Sequence, residues 1–370
     1  MKSNVVREEV KRLQRYRLGK TDQELLAETG LEKIIRLDAN ESPWPPSPNA
    51  VQAVRDSTLQ INRYPEAGIL SVQEVLAAKH RVKLRQVTVG NGVDEIIRLI
   101  TLAFLNPGEE VLTADLTFPI YAHSALSMGA VVKTIPLKNF CYDLCSLGDN
   151  LTNRCKLVFI SNPNNPTGTI VDKDSLDKFM SRVSTNTIVV LDEAYGEYVQ
   201  SGNYPDGMQY LAKGGQIIIL RTLSKAYGLA GLRIGYALGP AELMDVINTL
   251  RPVFSVNSLA QAAAKAVLND TQYLEKIVTA NAEGRGYLTS ALKGLGLQVV
   301  ESEANFIFVN LNADAKRISQ LLEQYGIVIR AVKDSWCRIT IGKPEENQKL
   351  VTALTRITGR GQHQKKEATL

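Results

Sequence analysis

The chain has 370 residues, of which 44% are hydrophobic, and its formal net charge of +5 is the small difference between 43 basic and 38 acidic side chains. A chain of this length and hydrophobic content can form a large buried core and two domains. So small an excess of positive charge gives no electrostatic reason to expect a nucleic-acid-binding protein. Three histidines and four cysteines without CxxC spacing argue against a metal centre or a disulfide scaffold, and no run of about 18 apolar residues predicts a membrane helix.

Residues 1–41 are predicted to form an N-terminal arm. Its first nine residues lack the apolar core of a signal peptide, which favours a cytoplasmic protein. A short helix is expected over residues 22–28, with Gly30 as its cap. The segment 40–48 contains four prolines within six residues, so we expect a stiff connector rather than a helix or a central strand.

Residues 42–258 show the alternation of strands and helices that is typical of an α/β domain. The predicted strands are residues 86–89, 110–113, 130–135, 156–160, 187–191 and 216–220, and the predicted helices are residues 50–59, 71–80 and 96–103, with a further helix ending at 128. The runs at 156–160 and 187–191 are almost wholly apolar, as buried parallel strands are.

From about residue 255 the pattern changes, and a second domain is predicted over residues 259–358. Long helical segments at 260–268 and 271–295 precede a helix at 314–325 and strands at 327–330 and 337–341. Together with residues 299–310 they indicate a small α+β unit. The polar residues 359–370 are expected to form a frayed tail.

Polar residues follow the predicted strands near positions 90, 162, 192 and 222. Open parallel sheets bind their ligands at the carboxyl ends of their strands, so this convergence predicts a single site. The strand, glycine turn and helix start at residues 86–96 would make a natural anion site. A plain strand-to-helix turn is the alternative, and the missing third glycine of GxGxxG argues against a dinucleotide.

Lys225 is the candidate nucleophile. It lies just after the apolar run 216–220, where burial lowers the pKa of an amine and would let it form a Schiff base with an aldehyde cofactor. Thr222, Ser224 and Arg233 would supply phosphate-binding groups beside it. Taken alone, the segment is equally compatible with a surface lysine next to a helix-capping Ser/Thr pair.

A pyridoxal 5'-phosphate bonded to Lys225 would give each neighbouring group a task. Asp192 would face the pyridine nitrogen and keep it protonated, so that the ring accepts electrons. Asn165 and Tyr195 would hydrogen bond to the phenolic oxygen, and Phe118 would stack on the ring. The groups expected around the phosphate are Gly92, Val93, Asp94, Thr222, Ser224 and Arg233. Taken one at a time, Asp192 could instead be a helix cap, Asn165 a turn residue and Phe118 a core aromatic.

Once displaced by the substrate, Lys225 would be a free amine that carries a proton between the substrate carbon and the cofactor. This role would explain why the sequence offers no catalytic histidine.

Three motifs in this region resemble the signature of class I/II, fold-type I aminotransferases. They are Asn-Pro-Thr-Gly at 165–168, Asp-Glu-Ala-Tyr at 192–195 and the segment 224–233 around Lys225, and their order and spacing both fit. The resemblance covers about residues 16–350. It implies an α/β fold with a large domain built on a mostly parallel seven-stranded sheet flanked by helices, and a small α+β domain against which the N-terminal arm packs.

Within that family, four segments are most similar to the histidinol-phosphate aminotransferases, namely residues 37–42, 62–66, 221–225 and 338–342. The similarity implies ping-pong transamination between L-histidinol phosphate and 2-oxoglutarate, as a step of histidine biosynthesis. It also implies a homodimer with shared active sites, in which Tyr64 reaches the partner's cofactor phosphate. The residues expected to hold the substrate are Tyr16, Asn40, Asn305, Arg330 and Arg338.

Two arginines suit this pair of substrates, because a planar guanidinium can bind both a phosphate and a carboxylate. An exposed strand cation is the alternative for each of them. An aromatic amino-acid aminotransferase or an amino-acid-phosphate decarboxylase of the same fold also remains open. A pyridoxal-binding regulator is disfavoured, because the residues before Leu37 are too few for a winged helix-turn-helix.

Overall fold

The computed structural model describes residues 5–11, 13, 19–66 and 69–359, which form two β-sheets with helices packed on them. The strands are β1 (Ile35–Leu37), β2 (Val87–Gly90), β3 (Glu110–Ala114), β4 (Val131–Ile135), β5 (Cys155–Ser161), β6 (Ile188–Asp192), β7 (Ile217–Thr222), β8 (Gly235–Leu238), β9 (Gln298–Val300), β10 (Phe306–Asn310), β11 (Ile327–Lys333) and β12 (Trp336–Thr340).

The helices are α1 (Glu8–Lys11), α2 (Asp22–Thr29), α3 (Pro48–Ser57), α4 (Leu70–His80), α5 (Val93–Phe104), α6 (Ile120–Ser127), α7 (Leu144–Asp149), α8 (Lys173–Met180), α9 (Gly207–Ala212), α10 (Ala241–Leu250), α11 (Ser258–Leu268), α12 (Thr271–Gly294), α13 (Ala315–Glu323) and α14 (Pro344–Thr358). None of those within the described residues is long and apolar enough to cross a membrane.

The larger sheet has seven strands in the order β2-β8-β7-β6-β5-β3-β4. The strands from β7 to β4 pair in parallel, whereas β8 is antiparallel to both β2 and β7. Apolar side chains cover both faces, since Val189 packs into the core on one face while Ile188 and Val190 belong to the core on the other. This confirms the predicted α/β fold and explains why β5 and β6 have near-continuous apolar sequences.

The smaller sheet has the order β1-β11-β12-β10-β9, and its core includes apolar residues of α12, α13 and α14. Strand β1 was not predicted. It comes from the N-terminal arm and pairs in parallel with β11, so that Ile35 lies opposite Ile327. Helix α2 ends as predicted at Gly30, whose φ of 68° is left-handed.

Two domain expectations stay predictions, although the contacts favour a different assignment for one part of each. The predicted boundary after residue 258 assigned α11 to the small domain, yet its small residues Ala260, Ala263 and Ala264 belong to the core of the larger sheet, and α11 contacts α3. We infer that the smaller domain begins at α12. The N-terminal arm was expected to pack with the small domain. Strand β1 does so by pairing with β11, whereas α1 contacts α6 of the larger domain. Arg7 on the chain just before α1 donates to the carbonyl of Ser127 in α6, at 2.9 Å, as a cation favours a helix C-terminus.

Candidate functional site

A cavity of about 330 Å³ lies at the carboxyl ends of β5, β6 and β7, where the arm and the smaller sheet close over the larger one. The described residues that line it are Gly19, Asp38, Ala39, Asn40, Val93, Asp94, Phe118, Tyr121, Ser161, Asn165, Asp192, Ala194, Tyr195, Thr222, Ser224, Lys225, Arg233, Arg330 and Arg338. The fold therefore brings most of the predicted site residues to one place, at the sheet edge where open parallel sheets bind ligands.

Lys225 follows β7 and is partly buried in this cavity. Its Nζ donates to the carbonyl of Ala39 at 3.1 Å and lies 5.9 Å from the ring centroid of Tyr195. Burial lowers the pKa of the Lys225 amine to about 8, and the positive charge of Arg338 acts in the same direction. An amine with this pKa is neutral in about a tenth of molecules at pH 7, far more often than an ordinary lysine, and the neutral form is the nucleophile.

Asp192 ends β6 and is almost fully buried. Its Oδ2 accepts a hydrogen bond from the hydroxyl of Tyr121 at 2.5 Å, and its Oδ1 accepts one from the amide of Ala194 at 3.0 Å. Burial raises the pKa of Asp192 to about 6, although the Tyr121 hydrogen bond opposes the shift. A buried carboxylate of this kind gains most from a cationic partner, such as a protonated pyridine nitrogen.

Tyr121 is a site residue that the sequence interpretation missed. It is fully buried near the start of α6, and its ring stacks on Phe159 with centroids 4.8 Å apart. The one available signal was its position three residues after Phe118, which places the two on one side of a helix start. An aromatic residue at such a position is more often core packing, and only the contact with Asp192 distinguishes it.

Asn40 is held in the cavity wall by both domains. The side-chain Nδ2 of Asn40 donates to the hydroxyl of Tyr195 at 3.0 Å, and the backbone amide of Asn40 donates to Thr340 Oγ1 at 3.0 Å. Asn305 is buried but does not line the cavity, because its Nδ2 donates to the carbonyl of Asn40 at 3.1 Å. Its contact with this site is therefore made through Asn40.

Arg330 and Arg338 are directly opposite each other in the antiparallel pair of β11 and β12, and both line the cavity. Arg338 Nη1 donates to Asn165 Oδ1 at 2.7 Å, and Nη2 donates to the carbonyl of Asp38. Like charges directly opposite on neighbouring strands repel each other. An anion bound between the guanidinium groups would relieve that repulsion, so this wall of the cavity is suited to an anionic substrate.

The opposite end of the site contains the predicted phosphate-binding groups. Helix α5 begins here, with Gly92 as its N-cap at a φ of 78°. The left-handed φ favours glycine here, and a Cβ at Gly92 would lie 2.6 Å from Arg233 Nη2, so a larger residue would also displace the guanidinium from this helix end. The other groups on this side of the cavity are Val93, Asp94, Thr222, Ser224 and Arg233. A helix N-terminus, two hydroxyls and a guanidinium form a donor set that fits the phosphate of pyridoxal phosphate.

Like Asn305, the predicted residues Gly92 and Tyr64 are not among the described residues that line the cavity. Tyr64 is 82% exposed and stacks on Phe254 with centroids 4.6 Å apart. Tyr16 lies outside the described residues. Among the residues that the structure describes, no group of His, Cys, Asp and Glu side chains could hold a metal ion.

Comparison with known proteins is consistent with this geometry. The family model described as aminotransferase class I and II matches residues 32–354. The chain is 41% identical to the histidinol-phosphate aminotransferase of Moorella thermoacetica over 356 residues, which cover 95% of this chain and 92% of that protein. It is 36% identical to histidinol-phosphate aminotransferase 2 of Carboxydothermus hydrogenoformans, with coverage of 95% and 99%. The crystal structure of histidinol-phosphate aminotransferase from Sinorhizobium meliloti in complex with pyridoxal-5'-phosphate matches with a TM-score of 0.88 at 26% identity, covering 96% of this chain and 98% of that one.

Proposed function

Because the chain belongs to the aminotransferase class I and II family, whose cofactor is pyridoxal phosphate, we propose that it transfers an amino group between L-histidinol phosphate and 2-oxoglutarate. The products would be imidazole acetol phosphate and L-glutamate, as a step of histidine biosynthesis. The observation that carries the proposal is the arrangement of one cavity, with Lys225 and Asp192 at the sheet edge and a cross-strand arginine pair on the facing wall. The names of the relatives support the same substrate.

When bound, pyridoxal phosphate supplies an electron sink for the negative charge that develops at the substrate carbon. Asp192 would hold the ring nitrogen, and its own elevated pKa supports this role, because a buried carboxylate is stabilised by a cation beside it. Asn165 and Tyr195 would hold the phenolic oxygen, while α5, Thr222, Ser224 and Arg233 would hold the phosphate. Phe118 would pack against the ring.

Lys225 would move the proton. Its Nζ can accept a proton from the substrate carbon and return it, since burial brings the pKa of the amine to about 8, close to working pH. Among the described residues the cavity wall contains no histidine that could do this work. This supports Lys225 as the general base that the two half-reactions share.

Arg330 and Arg338 would bind the anionic ends of the substrates. One half-reaction brings a phosphate and the other a dicarboxylate, and a guanidinium pair can hold either anion. Asn40 would contribute to this wall, with Asn305 fixing its backbone. Tyr16, which is outside the described residues, is proposed as a further contact on the resemblance alone.

We propose a homodimer in which Tyr64 reaches the cofactor phosphate of the partner subunit. The exposure of Tyr64 supports this, because a contact with the partner would cover a ring that is 82% exposed in the single chain. Exposed apolar neighbours at Leu59, Ile61 and Val253 would be covered by the same contact. A cytoplasmic location is proposed with it, supported by four cysteines that are all free.

The test is a set of stopped-flow absorbance traces on the cofactor-loaded protein after addition of histidinol phosphate, unphosphorylated histidinol or phenylalanine. We expect rapid conversion of the cofactor to its amine form by histidinol phosphate only, since the other amines leave the arginine pair without its anion. Preference for phenylalanine would retain the aminotransferase chemistry but overturn the substrate. Equal rates with histidinol and its phosphate would show that the phosphate is not recognised.

A further inference from the structure

A polar cluster lies on the other face of the larger sheet, directly behind the cofactor site. We call it the Arg221 cluster and define it as His80, Glu193, Glu197, Arg221 and Tyr236. Arg221 donates to Glu193 Oε2 from both Nε and Nη2, at 2.9 and 2.7 Å. Tyr236 is the register partner of Arg221 on β8, and its hydroxyl lies 3.0 Å from His80 Nε2.

Strand geometry links this cluster to the site. Successive side chains of a strand point to opposite faces. Thr222 lines the cavity, so its neighbour Arg221 points to the other face, and Asp192 and Glu193 are related in the same way where β6 ends. The amide of Glu193 also donates to the carbonyl of Leu220, at 2.9 Å. The ion pair therefore joins β6 to β7 at the residues next to Asp192 and Thr222.

The cluster is built to hold the Glu193 carboxylate in one place. Glu193 is fully buried, and its Oε1 accepts from the amide of Gly207 at 3.3 Å. A Cβ at Gly207 would lie 2.7 Å from the same oxygen, so glycine leaves the space that the carboxylate fills. Burying an ion pair is a poor way to gain stability compared with apolar packing. The pair therefore calls for a role other than filling the core.

We propose that Arg221 is a positioning residue, whose ion pair with Glu193 fixes the separation and direction of Asp192 and Thr222 and so the orientation of the bound cofactor. The inference rests on the cofactor site described under the proposed function. It does not depend on which amine is the substrate.

Glu197 would act as a second anion for Arg221. Its Oε2 is buried without a hydrogen-bond partner among the described residues, and the charges of Glu197 and Arg221 stabilise each other. Burial raises the pKa of Glu197 to about 7, and the positive charge of Arg221 opposes this shift. If Glu193 loses its charge, Glu197 should ionise and replace it.

This arrangement predicts unequal effects for the two partners of the ion pair. Arg221→Met removes the cation that both buried carboxyls share, whereas Glu193→Gln leaves Arg221 with Glu197. The double variant Glu193→Gln/Glu197→Gln should therefore resemble Arg221→Met, and its effect should exceed the product of the two single effects. Arg182→Met is the matched control, because Arg182 makes an exposed ion pair with Asp149 at 2.6 Å.

The experiment uses full-length protein reconstituted with pyridoxal phosphate. The primary readouts are the cofactor Kd and the visible circular dichroism per bound cofactor, which reports ring orientation and requires no substrate. For Arg221→Met we expect the Kd to rise at least tenfold and the dichroism to change by half or more. With saturating cofactor, kcat should fall at least tenfold while the KM for glutamate changes less than threefold. Glu193→Gln should change the Kd in the same direction as Arg221→Met but by less, because Glu197 still faces the arginine, and Arg182→Met should stay within threefold of the wild type.

Wild-type dichroism and Kd in Arg221→Met would overturn the proposal, even if the variant melts at a lower temperature, because the cluster would then be merely structural. If Arg221→Met does not fold, the same readouts on Glu193→Gln/Glu197→Gln decide, and wild-type values there would overturn it equally. A wild-type protein that binds the cofactor normally but does not react with histidinol phosphate would refute the proposed substrate and leave this inference intact.

Discussion

Asp192→Asn should stabilise the protein without cofactor while impairing its use of the cofactor. The pKa of Asp192 rises from 3.8 to about 6 because the carboxylate is buried. A shift of about two units corresponds to about 3 kcal/mol of free energy that the fold loses by keeping this group ionised. Asparagine has nearly the same shape and no charge, and its Oδ1 can accept from the amide of Ala194 while its Nδ2 donates to the hydroxyl oxygen of Tyr121.

The pH dependence has a definite sign. Since the folded protein holds the Asp192 proton more tightly than the unfolded chain, stability from this group is complete below about pH 4 and is lost as the pH rises through about 6. The free-energy difference between Asp192→Asn and wild type should therefore be small below pH 4. Between pH 4 and 6 it should grow by about 1.4 kcal/mol per pH unit, and it should be constant above pH 7.

The assay is the melting temperature of cofactor-free protein between pH 4 and 8. With an unfolding entropy of roughly 2.1 cal/mol/K per residue, about 3 kcal/mol corresponds to a rise of roughly 4 °C for this chain at pH 7. Adding pyridoxal phosphate should raise the melting temperature of the wild type more than that of the variant. The control is Asp177→Asn, whose carboxylate is partly exposed and is paired with Lys173 and Tyr210, and which should melt at the same or a lower temperature. Equal melting of wild type and Asp192→Asn at every pH would refute the reasoning.

Three further outcomes follow from the structure. Lys225→Ala should abolish turnover while circular dichroism shows an intact fold, and a variant with normal activity would contradict the assigned role. In cofactor-free protein, the rate of Lys225 acylation, followed by mass spectrometry, should rise with pH and have its midpoint at about pH 8. Arg338→Gln should move this midpoint upward because it removes a positive charge that lowers the pKa of Lys225. An unchanged midpoint would argue against this coupling. Gly168→Ala should lower the free energy of unfolding in urea by roughly 1–3 kcal/mol more than Gly214→Ala. Both glycines have a φ near 78°, but a Cβ at Gly168 would lie 2.1 Å from Ser302 Oγ, whereas a Cβ at Gly214 would have no other atom within 4 Å. Equal losses of stability would show that only the backbone strain matters.

Several elements of the fold could not be predicted from the local sequence. Strand β1 has three residues and pairs with β11, far away in the chain, and β8 has four residues and pairs with the distant β2 as well as with β7. Helix α11 has the apolar pattern of any amphipathic helix, so the sequence does not say which core it joins. Only its contact with α3 places it with the larger sheet.

The same limit applies to the site. Tyr121 could not be distinguished from a core aromatic, because its partner Asp192 lies 71 residues away. The hydrogen bond from Asn305 to the backbone carbonyl of Asn40 joins residues 265 positions apart, so the sequence could not show it. These assignments depend on which side chains face each other across two domains, and no local pattern contains that information.

What the sequence alone determined is the chemistry at the strand ends. Lys225 and Asp192 follow buried apolar strands, and the ends of parallel strands meet at one edge of a sheet, so these groups had to converge. The tertiary structure decided what faces them. Strand register placed Arg330 opposite Arg338, and the Arg338 side chain bonds to the carbonyl of Asp38, 300 residues away. Local hydrophobic pattern fixes elements and their order, whereas contacts of such long range arise only when the two sheets close on each other.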